Sequence, residues 1–229
     1  EGVNINRSTF AHWVGFAAVE LEPLHAYLLK ELKSSPKLFA DETRCPVLDP
    51  GRGKTKTGYL WAYARDDRPW ASADPPGVAY MYAPGRGAEH AERHLAGFSG
   101  VLQVDGYAAY RTLAEEKRPG GSLTLALCWS HFRRRFYDIA KSGNAPIATE
   151  ALARIGKLYE VEADIRGRTA AERRDVRQVQ TKPLTDKLKV WLEQQVNCVS
   201  GRSSIAEAIR YGLNHWKGLT RFREDGRIE

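Results

Sequence analysis

Only three cysteines, Cys45, Cys128 and Cys198, occur in the 229 residues, and no two of them form a C-x-x-C pair. Their odd number and wide spacing exclude a disulfide framework and argue against a zinc ribbon, leaving free thiols in a reducing compartment. Long apolar runs are missing too. The longest, such as residues 14–19 and 123–129, fall far short of a membrane helix, which needs about 20 residues. The N-terminal stretch EGVNINRS has neither the basic start nor the apolar segment of a signal peptide, so a cytoplasmic location is the expectation. There is no internal repeat and no low-complexity segment.

What is present is the composition of a globular chain, 42% hydrophobic and 28% charged, which suits one large α/β domain or a smaller one with a helical insertion. The formal net charge is +7. A basic surplus suits a polyanionic partner, because each neutralised phosphate releases counterions. Charge alone is compatible with nucleic acid without selecting it.

Hydrophobic periodicity divides the chain. Residues 8–32 read as a helix, with Phe10, Trp13, Val14, Ala17, Leu21, Leu24 and Leu28 at helical spacing, Ser8 as its cap and Pro23 as a kink or break. Strands are expected over residues 38–43, 59–65, 78–83, 101–104 and 123–128, with short helices at 88–95, 108–116 and 132–140. Residues 50–58 (PGRGKTKTG) read as a basic, glycine-rich loop. Three strands followed by strand–helix–strand–helix is the order of an RNase H-like fold. In it the first three strands form an antiparallel meander and the last two add in parallel, placing the first and fourth side by side. From residue 144 the pattern is wholly helical, with capping boxes at Thr169/Glu172 and Ser204/Glu207 and a helix opened by Pro183. The division expected is a helical segment at 1–36, a catalytic core at 37–143 and a helical insertion at 144–229.

Two acids stand at strand ends: Asp41 in LFADET and Asp105 in VLQVDGY. Brought together, two carboxylates suit Mg²⁺ or Mn²⁺, which prefer hard oxygen ligands. Against this, Asp-Gly at a strand end is commonly a turn, and Glu42, Asp49, Asp66 and Asp67 compete for the role. In CWSHFRRRF, His131, Arg133 and Arg134 open a helix after a strand, a natural phosphate site or else a solvated basic face. Lys54 and Lys56 are candidates for DNA backbone contact or members of a plain hairpin. His90 and His94 have metal-ligand spacing but lack the Glu of H-E-x-x-H, which favours a surface helix.

The stretches ADETRCPVLDPGRGKTKTGYLWAYARDDRPW, HLAGFSGVLQVDGYAAY, CWSHFRRRFYD and AIRYGLNHW resemble insertion sequence 66 family transposases, in the family's order and over nearly the whole chain. The resemblance implies an RNase H-like core with a DDE acid triad. Asp41 and Asp105 match its first two acids as catalytic metal ligands for Mg²⁺ or Mn²⁺. It implies double-stranded DNA as the partner, at element ends and target, and admits a homo-oligomer and accessory proteins. The third acid, a Glu in an N-N-x-x-E-R segment, would lie beyond Glu229, so the chain alone is expected to be inactive. The segment GVNINRSTFAHWV resembles the last part of a helix-turn-helix. Arg44 and Cys45 depart from the family's usual Pro or Thr after D-E-T. Two other classes compete: a non-enzymatic DNA-binding remnant, and an RNase H-like nuclease or resolvase.

Overall fold

The computed structural model describes residue 2, residues 4–115 and residues 121–229. It opens with helix α1 (Arg7–Lys33), capped by Asn6, whose side chain accepts from the Ser8 backbone N–H at 3.0 Å. The cap is therefore two residues earlier than Ser8. Pro23 lies inside the helix without dividing it. The backbone bond it deletes would run to residue 19, where the helix is open to solvent and Val19 is exposed. Only the last turns, through Leu28, Leu29 and Leu32, pack on the core.

Five strands follow: β1 (Lys37–Asp49), β2 (Lys54–Arg65), β3 (Gly77–Ala83), β4 (Gly100–Val104) and β5 (Leu123–Leu127). Their order is β3-β2-β1-β4-β5. The first three are antiparallel neighbours, and β4 and β5 add in parallel. This is the arrangement expected from the pattern. The first hairpin is longer than expected. Its ladder continues to Asp49↔Lys54, so Lys54 and Lys56 belong to β2 and not to a loop. Only residues 50–53 turn, with Gly51 and Gly53 at positive φ. The cause is cross-strand pairing: Thr55 and Thr57 favour extended backbone, and Lys54 sits opposite Asp49.

Helices cover both faces. On the back, α2 (Ala88–His94) and α3 (Ala108–Glu115) bring His94 and Tyr110 edge-on to Trp61, with Tyr63 beside His94. The expected last residue of α3, Glu116, lies outside the described residues. On the front, α4 (Trp129–Lys141) and α5 (Pro146–Asp164) share a cleft with Phe39 and Gln103. Beyond them α6 (Ala170–Val176) runs through a π-helical segment, Arg177–Thr181, into α7 (Lys182–Cys198). Pro183 thus sits in a continuous helix and does not open a new one. Then come α8 (Ser204–Asn214) and α9 (Trp216–Thr220). The Thr169/Glu172 capping box is present, but α8 is capped by Ser203, which accepts from Ala206 N–H, and not by Ser204 with Glu207.

The C-terminal stretch is fastened. The buried Arg177 guanidinium pairs with Glu162 and donates to the carbonyls of Phe222, Asp225 and Ile228. Five donors in a fixed fork suit such a clamp. Ile228 is buried, and Glu229 N–H donates to Gln103 Oε1 on β4 at 3.2 Å.

Candidate active site

Asp41 leaves β1 where its pairing to β4 stops. The last parallel pair is Phe39↔Gln103. Asp41 stands two residues beyond Phe39, and Asp105 two beyond Gln103. Side chains two apart on a strand share a face, so both carboxylates issue on the front of the sheet from adjacent strands. Asp41 is exposed and Asp105 half-buried. Asp41 is therefore not a strand end, since β1 continues to Asp49. It is the point where β1 leaves the centre of the sheet.

Each carboxylate is held by its own following backbone. Asp41 Oδ1 accepts from Glu42 N–H at 2.9 Å, and Asp105 Oδ1 from Tyr107 N–H at 2.9 Å. The second bond is the Asx turn that Asp-Gly suggests. It does not account for the glycine, whose φ is not positive. A side chain at Gly106 would instead meet the Tyr211 ring of α8, with a Cβ 2.9 Å from Cε2. The glycine is required by close approach, with the helical segment packed on the turn.

His131 follows in the first turn of α4. Its imidazole is held above the ordinary value, first by its hydrogen bond with Cys128, with the Asp105 and Asp41 charges adding. Those two contributions place both carboxylates within electrostatic reach of one imidazole. Burial opposes ionisation of Cys128 most strongly. Hydrogen bonds from the His131 side chain and the first-turn backbone of α4 nevertheless hold the thiol below its usual range.

The competing acids are committed elsewhere. Asp66 is bonded by Arg68 at 2.7 and 2.8 Å, Asp67 pairs with buried Lys37 at 4.0 Å, and Asp49 lies at the hairpin tip beside Arg52. Glu42 points to the back face, where its fully buried side chain meets Arg86 and Tyr110. Burial pushes its carboxyl up, and the Tyr110 and Arg86 hydrogen bonds restrain the rise.

His94 is not on a surface helix. It is buried, and Tyr63 Oη lies 3.1 Å from its Nδ1. Burial, with the charges of Arg93 and His90, lowers its pKa to about 4. The period of α2 places His94 inward against Trp61, which periodicity in so short a helix does not reveal. Among the described residues no group of three or more His, Cys, Asp or Glu side chains is placed to hold a metal ion. Asp41 and Asp105 are the hard oxygen donors that could hold a divalent cation on this face.

Of the basic candidates, Arg133 and Arg134 line an open depression with Ser130, Tyr137 and Tyr159. Their neighbour Arg135 stacks on Tyr211 at 3.9 Å. Lys54 and Lys56 are exposed on the projecting hairpin, away from the β1–β4 junction.

The family model for the transposase IS66 family matches residues 1–229, the whole chain. The chain belongs to the IS66 family of transposases. It is also similar to three proteins of Sinorhizobium fredii (strain NBRC 101917 / NGR234). It is 47% identical to uncharacterized protein y4qI over 100% of this chain and 43% of that protein. It is 45% identical to uncharacterized protein y4jD, covering 45% of it, and 35% identical to uncharacterized protein y4hP, covering 43%. The chain thus spans less than half the length of these relatives. Sequence reasoning missed several residues around the carboxylates of this IS66 chain: Arg86, Tyr107, Tyr110, Cys128 and Tyr211. The only local signals were the aromatic D-G-Y-A-A-Y run and a Cys three residues before a His. Arg86 and Tyr211 come from other elements; Arg86 left no signal, and Tyr211 lies in the AIRYGLNHW stretch with nothing local to single it out.

Proposed function

We propose that this chain is the core of a metal-dependent DNA transposase, an RNase H-like domain acting in strand cleavage and strand transfer. The carrying observation is the in-register exit of Asp41 and Asp105 on one face of two parallel strands. The proposed parts are 1–36 as the end of a helix-turn-helix with its linker helix, 37–143 as the catalytic core and 144–229 as a helical insertion. The docking of Tyr211 on Gly106 supports the insertion as part of the site.

Asp41 and Asp105 would hold Mg²⁺ or Mn²⁺, which when bound supplies nucleophile activation and charge neutralisation at the scissile phosphate. The chain's own residues would do the rest. Asp41 and Asp105 orient carboxylate oxygens under backbone control. His131, its imidazole held above the ordinary value first by Cys128 and then by the two carboxylates, would stand beside them as a positioned imidazole. Arg133 and Arg134, on a depression with two tyrosines, would receive the DNA backbone. Double-stranded DNA is the partner this arrangement suits, and the +7 charge agrees. No described helix is long and apolar enough to cross a membrane.

A non-enzymatic DNA-binding role is favoured by one observation: among the described residues no group of three or more His, Cys, Asp or Glu side chains is placed to hold a metal ion. Incubation with a matched element-end duplex in Mn²⁺ decides between the readings, using this chain beside a form extended through the next acid-containing segment. Cleavage and joining by the extended form, lost on Asp41→Asn or Asp105→Asn, is the expected result. Hydrolysis without joining would make it a nuclease or resolvase. Binding with no chemistry in either form would leave the remnant reading.

A further inference from the structure

The two aspartates are followed in sequence by residues that meet on the back of the sheet. Asp41 Oδ1 takes the N–H of Glu42, and Asp105 Oδ1 takes the N–H of Tyr107. Glu42 is fully buried and accepts from Arg86 Nε at 2.6 Å and Tyr110 Oη at 2.7 Å. Arg86 in turn lies over the Tyr107 ring at 3.8 Å, and Tyr107 Oη donates to the Arg86 carbonyl at 2.6 Å. These contacts form a chain from one aspartate to the other through Glu42, Arg86 and Tyr107. Arg86 belongs to neither strand. It comes from the segment between β3 and α2 and bridges the residues after both acids.

We propose that Arg86, gripping Glu42 and Tyr107, is a positioning residue that sets the separation and aim of the Asp41 and Asp105 carboxylates. It rests on the assignment of those two acids as the metal-binding pair. Three features carry it. A charged pair with one partner wholly buried is costly to assemble unless geometry is well satisfied, and here both Glu42 oxygens are bonded. Arg86 holds Tyr107 twice, by its ring face and its hydroxyl. The parallel ladder ends at Phe39↔Gln103, so β1–β4 pairing does not reach Asp41 and Asp105 to fix their spacing. This chain of contacts supplies what the ladder no longer does. Partners behind metal ligands commonly change metal affinity by about 10–100-fold.

The test uses the chain as it stands. Binding of Mn²⁺ is followed by the loss of its free-ion paramagnetic resonance signal. Exchange of the Glu42 and Tyr107 amide protons is followed by NMR without any ion. Far-UV circular dichroism verifies folding. Arg86→Met is expected to weaken Mn²⁺ binding about tenfold or more and to speed exchange at both amides, with the dichroism unchanged. Arg86→Lys, which keeps the charge and loses the fork, should fall between. Glu42→Gln serves if Arg86→Met does not fold, with the same direction of change. Asp105→Asn tests the underlying assignment and should abolish binding. If Arg86→Met and Glu42→Gln bind Mn²⁺ within twofold of the wild type and leave both amides equally protected, the positioning role is wrong. If Asp105→Asn binds Mn²⁺ like the wild type while both amides loosen in the Arg86 variants, the Arg86 bridge holds the aspartates but the metal assignment fails.

Discussion

Asp41 and Glu42 are adjacent carboxylates on one strand, and they live in opposite worlds. Asp41 projects from the front of the sheet, exposed, its carboxylate accepting the Glu42 backbone N–H. Glu42 projects from the back, fully buried among Arg86, Tyr110 and the aromatic layer of Trp61, Tyr63 and His94. The two-residue period of a strand makes this separation unavoidable. The lesson is that a front-face acid is free to hold a ligand because a back-face acid carries the structure. The same contrast sets His131 against His94. The front imidazole is raised by Cys128 and then by the carboxylates, and the back one is lowered by burial.

The largest effect should come from the back. Arg86→Met leaves Glu42 buried without its ion partner, and removing one member of such a pair costs about 3–5 kcal/mol. Arg86 is itself partly exposed, which puts the expected loss at the lower end. Asp41→Asn on the front should change stability by roughly 0.5 kcal/mol or less. Urea denaturation of both variants measures the difference, and equal losses would erase the contrast between faces.

The pH response comes next. The folded-state pKa of His94 lies near 4, below the value of an unfolded histidine. The unfolded chain therefore binds the extra proton between about pH 6.5 and 4, and stability rises with pH across that window. Its contribution is fully present above about pH 6.5 and is lost as pH falls through 4, on the order of 3 kcal/mol in all. Thermal melts of the wild type and His94→Gln at pH 7 and pH 5 should show a smaller acid loss in the variant. Parallel losses would assign the acid sensitivity to other groups.

On the front, Arg133→Glu with Arg134→Glu should weaken binding to duplex DNA with little change in melting temperature. The wild-type affinity should fall steeply with salt, since each phosphate contact contributes a slope of about −0.9 in log affinity against log salt. A filter-binding series from low to physiological salt would show a shallower slope for the double variant if these arginines touch phosphate. The smallest effect is expected on the projecting hairpin. Lys54→Glu with Lys56→Glu should leave stability within about 0.5 kcal/mol and reduce DNA affinity less than the Arg133/Arg134 pair. A larger loss would move the DNA path onto the hairpin.

Local pattern carried the order of the strands and the helical segment after residue 143, because alternation and helical period are properties of short windows. Local pattern failed at the first hairpin, where glycine and lysine disguised a ladder set by pairing partners. It failed at Ser8 and Ser204, since which of several neighbouring polar residues caps a helix depends on where the helix begins to pack. It failed at His94, whose burial belongs to the sheet beneath it. It also missed Arg86 and Tyr211, which reach the acids only across the fold.

By itself, then, the sequence determined that Asp41 and Asp105 stand at comparable points on two strands of an α/β sheet, in a basic chain with the motif order of a transposase family. Only the tertiary structure decided that the β1–β4 pairing stops at Phe39↔Gln103, just short of the acids, that Glu42 is withdrawn to the other face, and that Arg86 ties the two residues behind the acids. Strand period is encoded within a few residues. The choice of neighbour, and which face that neighbour buries, is made by packing between segments more than 60 residues apart in the chain, as 41 and 105 are.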